Sequence, residues 1–213
     1  MGQTVLIKGC SLMQGSAKDL LKSLGDGSVD AVVVDPPYGV EVADWDGRVP
    51  YELILDFLRV CKGSVLWFGS AAGAVVDARS FPVAPDRLLI WSPNFTLSKV
   101  AKDGFAYRYH PIWAWRLMKQ KEVPWDVFSE RTECGNWWFH PCTKPVKLIS
   151  RLVKAVTKKG ETVLDPFAGS GTTAVACIKT GRRFIGSEIN QEYVKIAERR
   201  MRLAILREGF DGR

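Results

Sequence analysis

The run Ala31-Val32-Val33-Val34 stops abruptly at Asp35-Pro36-Pro37-Tyr38, and no other stretch restricts the fold as tightly. Four apolar, mostly β-branched residues with no polar alternation read as a short strand covered on both faces, as in a parallel sheet flanked by helices. Two prolines then end the ladder, because proline has a fixed φ and no N–H. The strand therefore ends in a stiff corner that carries a carboxylate, a carbonyl and an aromatic ring. In open α/β sheets ligands bind beyond the carboxyl ends of strands, and such a corner can grip a flat, amino-bearing heterocycle. Alone, the corner reads equally well as a Pro-Pro turn with a capping Asp.

A second stretch has the same design. Thr162-Val163-Leu164-Asp165 reads as a strand, Pro166-Phe167-Ala168-Gly169-Ser170-Gly171 as a glycine turn, and Thr172-Thr173 as a helix start. The helix is expected over 172–180, stopped by Gly181, and the next strand over Arg183–Glu188. Glu188 lies about 20 residues beyond the glycines, where a nucleotide-binding unit places an acid on ribose hydroxyls. The turn lacks the Gly-Lys-Ser/Thr of a phosphate-binding loop and is not a strict GxGxxG.

Together, DPPY and the FAGSGTT turn resemble the S-adenosylmethionine-dependent amino-methyltransferases that act on DNA. Their order, DPPY first, resembles the permuted β group of that family, and the resemblance covers nearly the whole chain. It implies a Rossmann-like α/β methyltransferase fold with a seven-stranded mixed sheet, helices on both faces and a circularly permuted motif order. It also implies methyl transfer to the N6 of a flipped-out adenine. Asp35, Pro36, Pro37 and Tyr38 would be catalytic, with Asp35 and the Pro36 carbonyl accepting from the amine and Tyr38 stacked on the base. Asp165, Phe167, Gly169, Ser170, Gly171 and Glu188 would hold S-adenosyl-L-methionine. His140-Pro141-Cys142-Thr143-Lys144-Pro145 resembles the family's HPxxKP segment, so His140 and Lys144 would bind or orient the cofactor carboxylate. The family often has Gly-Asp after its first strand, beside the cofactor adenine. The corresponding place here is read as Gly9-Cys10, with Cys10 a small wall residue. N4-cytosine transfer and a catalytically lapsed cofactor- or DNA-binding protein are the alternatives. A Pro-Cys nucleophile of cytosine-C5 chemistry at Pro141-Cys142 conflicts with DPPY.

The rest of the chain is organised around these corners. Strands are expected at Thr4–Lys8, Ser64–Phe68, Arg87–Trp91 and within 106–116, the last two as an antiparallel pair. Helices are expected at 16–24, 53–60, a short Ala-rich piece after Gly69, the segment after Pro145, and 191–207. At 213 residues and 46% hydrophobic, one α/β domain is expected over 1–213. A net charge of +7 favours a polyanionic partner. Residues 94–139 hold seven Lys or Arg, five Asp or Glu and five of the eight Trp, which marks a small target-recognition region. Trp45, Lys99, Lys102 and Arg108 are the candidate contacts to double-stranded DNA. That region is small enough to favour a homodimer, and the family context suggests a cognate restriction nuclease. Five scattered cysteines without paired spacing suggest reduced thiols. Cys134, His140 and Cys142 match no zinc spacing, so no metal is expected. No leader pattern and no apolar run of membrane-spanning length is apparent, so a cytoplasmic, membrane-free protein is expected.

Overall fold

A computed structural model describes residues 3–38, 50–93, 108–117, 126–131 and 143–211. Strands β1 (Thr4–Ile7) and β2 (Cys10–Gln14) form an antiparallel hairpin. Its two-residue turn, Lys8-Gly9, has φ of 42° and 75°, the left-handed pair that suits the twist of a tight hairpin. Helix α1 (Ala17–Ser23) follows, then β3 (Ala31–Val34), α2 (Leu53–Val60), β4 (Val65–Phe68) and α3 (Ala74–Ser80). Next come β5 (Arg87–Trp91), β6 (His110–Trp115) and the two-residue β7 (Val127–Phe128). The chain closes with α4 (Val146–Val156), β8 (Thr162–Asp165), α5 (Thr172–Thr180), β9 (Arg183–Glu188) and α6 (Gln191–Asp211).

The strands form one mixed sheet in the order β1-β2-β9-β8-β3-β4-β6-β5-β7. Among the described residues it has nine strands, where seven were expected. The two additions are β2, whose Cys10-Ser11-Leu12-Met13-Gln14 sequence lacks a clean apolar-polar alternation, and β7, which is too short to read. The predicted antiparallel pair is present as β5 and β6, and β6 also pairs antiparallel with β4.

Side chains of β3 alternate between two cores. Ala31 and Val33 belong to one core with Ile149, Leu152 and Val153 of α4, Ala174 of α5 and Ala197 of α6. Val32 and Val34 belong to the other, with Leu20 and Leu21 of α1 and Ile54 and Phe57 of α2. Helices therefore cover both faces, which is why β3 is apolar at every position. Phe81 caps the second core, edge-on to Trp67, Trp113 and Trp115 at centroid distances of 5.3, 6.2 and 4.9 Å. Two tryptophans of the aromatic-rich region, Trp113 and Trp115, are thus buried packing residues.

The order puts β8, β3 and β9 side by side and parallel. Ala31 faces Val163 and Val32 faces Leu164, while Asp165 faces Gly186 of β9. The corners after β3 and β8 consequently emerge at the same sheet edge, on neighbouring strands roughly 4.8 Å apart.

Candidate functional site

A cavity of about 600 Å³ opens at that edge, within the range of small-molecule sites. Asp35, Pro36, Pro37 and Tyr38 form one part of its wall; Asp165, Phe167, Gly169, Ser170 and Glu188 form another. Lys144 joins them from the segment that leads into α4.

Asp35 is held by a closed ring of hydrogen bonds. Tyr38 donates its phenol to Asp35 Oδ1. Lys144 Nζ donates to Asp35 Oδ2 at 2.6 Å and to the Tyr38 oxygen at 3.2 Å. Lys144 is buried, and its ammonium also lies 5.4 Å from the ring centroids of Tyr38 and Phe68.

Asp165 is buried at the end of β8. Thr173 Oγ1 donates to its Oδ2 at 2.6 Å and the Phe167 N–H to its Oδ1 at 3.0 Å. Burial outweighs these bonds and pushes its carboxyl up to about 7. A cationic group beside it would restore the ionised form. Glu188 accepts from the Gly169 N–H through Oε2 and from the Asn190 N–H through Oε1, both at 2.8 Å. Burial raises its carboxyl too. Glu188 also lines the cavity, where its carboxylate can accept from a ligand hydroxyl.

The glycine turn is shaped from behind. Arg200 of α6 donates to the Ser170 carbonyl and hydroxyl, both at 2.7 Å, so the Ser170 hydroxyl is engaged by the protein. Gly171 has a φ of +81°, and a Cβ there would meet Ala197 Cβ at 2.8 Å. Its observed task is close packing of the turn against α6, and it is not among the residues that line the cavity. Arg200, which also donates to Thr172 Oγ1 at 3.2 Å, thus braces the turn from α6.

The first glycine corner also lies elsewhere than expected. Gly9-Cys10 lies at the hairpin turn, at the opposite end of the sheet, because β2 runs parallel to β9 with Cys10 opposite Phe184 and Gln14 opposite Glu188. Cys10 belongs to the core, where burial raises its thiol to about 11. The residues that reach the cavity are Gly15 and Ser16. The Gly15 N–H donates to the Glu188 carbonyl at 3.0 Å. Ser16 caps α1, accepting from the Asp19 N–H at 3.1 Å. The Ser-x-x-Asp pattern was the available signal. Ile189 and Tyr193, which complete this end of the cavity, carried none.

Arg108 is exposed and outside the cavity wall; its carbonyl accepts from Ser92. His110 stacks on Trp91 at 4.8 Å, and burial lowers its imidazole to about 4, so it is neutral. Trp45, Lys99, Lys102 and His140 lie outside the described residues, as do Cys134, Cys142 and most of the 94–139 region. Among the described residues, no helix is long and apolar enough to cross a membrane.

Comparison with known proteins agrees with this geometry. The family model described as DNA methylase, covering N6 and N4 methyltransferases, matches residues 87–199. The type II methyltransferase M2.DpnII of Streptococcus pneumoniae is 40% identical over 241 aligned residues, spanning 89% of this chain and 88% of that protein. DNA adenine methyltransferase YhdJ of Escherichia coli K12 is 27% identical, spanning 91% and 83%. The crystal structure of M1.HpyAVI in complex with SAM superposes with a TM-score of 0.66 at 23% identity, over 89% of this chain and 98% of that one.

Proposed function

Because this chain belongs to the N6/N4 DNA methylase family, we propose that its cleft methylates the exocyclic N6 of an adenine turned out of duplex DNA. The chain is a DNA methyltransferase with the α/β methyltransferase fold, and S-adenosylmethionine is its methyl donor. Adenine is favoured over the N4 of cytosine by the DPPY form of the corner and by the name of the relative YhdJ. The permuted β-group assignment rests on DPPY preceding FAGSGTT. A cognate restriction nuclease is suggested by the type II designation of M2.DpnII.

The observation that carries this reading is the delivery of Asp35 and Asp165 to one cavity by adjacent parallel strands. The second wall fits the cofactor. Asp165 suits an ammonium, since a cation would offset the burial that now raises its carboxyl. Glu188 offers its carboxylate to a ribose diol, and Phe167, Ile189 and Tyr193 offer apolar and aromatic surface to a purine. When bound, S-adenosylmethionine would supply a sulfonium methyl: the N–CH3 bond forms as the S–CH3 bond breaks, the sulfur leaves as a neutral thioether, and the methylated nitrogen sheds one proton to solvent.

The protein's part is orientation and electrostatics. An aromatic amine is a weak nucleophile because its lone pair is delocalised into the ring. Asp35 and the Pro36 carbonyl, as acceptors for its two N–H groups, favour a pyramidal nitrogen with a localised lone pair. The anionic Asp35 also stabilises positive charge building on that nitrogen. The rigid prolines hold both acceptors without reorganisation. Tyr38 offers its ring to the base. Turning the base out of the duplex costs a few kcal/mol, offset by these contacts.

The test is incubation with methyl-labelled S-adenosylmethionine and unmethylated DNA, followed by digestion and mass identification of the nucleosides. N6-methyladenine is expected from the intact protein and none from Asp35→Ala. N4-methylcytosine would keep the mechanism and overturn the adenine assignment. No product on DNA of varied sequence would count against the proposal as a whole.

A further inference from the structure

We propose that Lys144 is a positioning residue for the Asp35 carboxylate, acting on the acceptor side of the reaction and not as a ligand of the cofactor carboxylate. The inference rests on the methyltransferase reading above and concerns how that site is held.

Three observations carry it. First, the contacts close on themselves. Lys144 Nζ bonds Asp35 Oδ2 and the Tyr38 oxygen, and Tyr38 bonds Asp35 Oδ1. A single donor would leave the carboxylate free to rotate about its Cβ–Cγ bond. Two donors, one on each oxygen and themselves linked, fix its plane. Second, Lys144 has little freedom to serve elsewhere. It is 6% exposed, and its ammonium lies over two rings. Moving it to a cofactor carboxylate would leave Asp35 partly buried without its cation. Third, the arithmetic of lone pairs leaves room for substrate. A carboxylate has about four acceptor sites; Lys144 and Tyr38 occupy two, and one remains on each oxygen for an incoming N–H.

The chain's local chemistry explains how the lysine arrives. Pro145 is the N-cap residue of α4, in extended conformation, so Lys144 lies just outside the helix at its N-terminus. Ile149, one turn into α4, also lines the cavity and is buried in the core. The helix is thereby fixed, and Lys144 is carried to a strand end 109 residues earlier in sequence.

Lys144→Met and Lys144→Arg would be compared with the unaltered chain by calorimetric titration with S-adenosylmethionine, by steady-state methylation of unmethylated DNA, and by melting. The proposal expects cofactor Kd within about threefold for both variants. It expects kcat for Lys144→Met to fall about 10- to 100-fold, as when a group that orients a functional ligand is lost, with DNA KM little changed and Lys144→Arg recovering part. Melting supplies a readout that needs no turnover. Because the two charges are coupled, the Asp35→Asn, Lys144→Met double variant should melt higher than Lys144→Met alone. A tenfold or greater loss of cofactor affinity, or additive melting shifts across the pair, would overturn the assignment. An inactive unaltered chain would count against the methyltransferase proposal, while the titration and melting arms would still decide the role of Lys144.

Discussion

Replacing Asp165 by Asn should make the protein more stable and less able to bind its cofactor. The carboxyl is raised from 3.8 to about 7, chiefly by burial. Above pH 7 it is ionised in both the folded and unfolded chain, and the folded chain bears the whole penalty. Three pKa units at about 1.36 kcal/mol each amount to about 4 kcal/mol. An asparagine is the same size and is never charged. It gives up the charge-assisted bonds from Thr173 and Phe167, so the net gain is about 2 kcal/mol at pH 8. In a chain of this length that is a rise in Tm of about 4–8 °C. The sign with pH is definite. Between pH 4 and 7 the unfolded Asp165 has lost its proton while the folded one keeps it, so this group lowers stability as pH rises. The advantage of Asp165→Asn should therefore widen by about 2–3 kcal/mol between pH 5 and 8. Denaturant melts of both proteins at pH 5, 6, 7 and 8, without cofactor, measure it. Parallel stability curves across that range would refute the idea that burial governs this carboxyl. In the same variant S-adenosylmethionine affinity should fall at least about tenfold, since a paired charge is removed.

Gly171→Ala should destabilise by about 2–4 kcal/mol, from a left-handed φ and a 2.8 Å approach to Ala197 Cβ; Ala197→Gly in the same chain should relieve the steric part, as melting would show. Glu188→Gln should weaken S-adenosylmethionine binding about 10- to 100-fold in calorimetry. One of its two anchoring N–H groups, from Gly169 or Asn190, would then face an amide NH₂ in place of an acceptor.

The parts of the fold that could be read were those whose local chemistry is uniform. β3 is apolar throughout and β8 is buried at every position because both faces are covered, and α5 is bounded by Gly171 and Gly181, each with a positive φ. The hairpin escaped for the opposite reason. In β2 buried Cys10 and Leu12 alternate with partly exposed Ser11 and Met13, so the sequence shows no clean apolar-polar alternation, and Lys8-Gly9 is a weaker hairpin signal than Asn-Gly. Missing β2 displaced the glycine corner by one strand, from Gly15-Ser16 to Gly9-Cys10. Asp35 and Asp165 were legible as site candidates because each stands at the end of a readable strand. The contacts that join distant parts of the site were not: Lys144 meets Asp35 across 109 residues, and Arg200 meets Ser170 across 30. Nothing local in either stretch announces a contact made by the fold as a whole.

The pairing of early strands with late ones also sets when the protein can first become itself. β3 needs β8 on one flank, and β2 needs β9. At about 5–20 residues per second, ribosomal synthesis leaves the free flank of β3 waiting roughly ten seconds for its neighbour. During that interval a wholly apolar strand has an open edge, the species most prone to pair with another chain. The order of strands that brings acceptor and donor walls together is therefore also a demand on the cell: shelter for the nascent chain, and slow folding dominated by distant contacts.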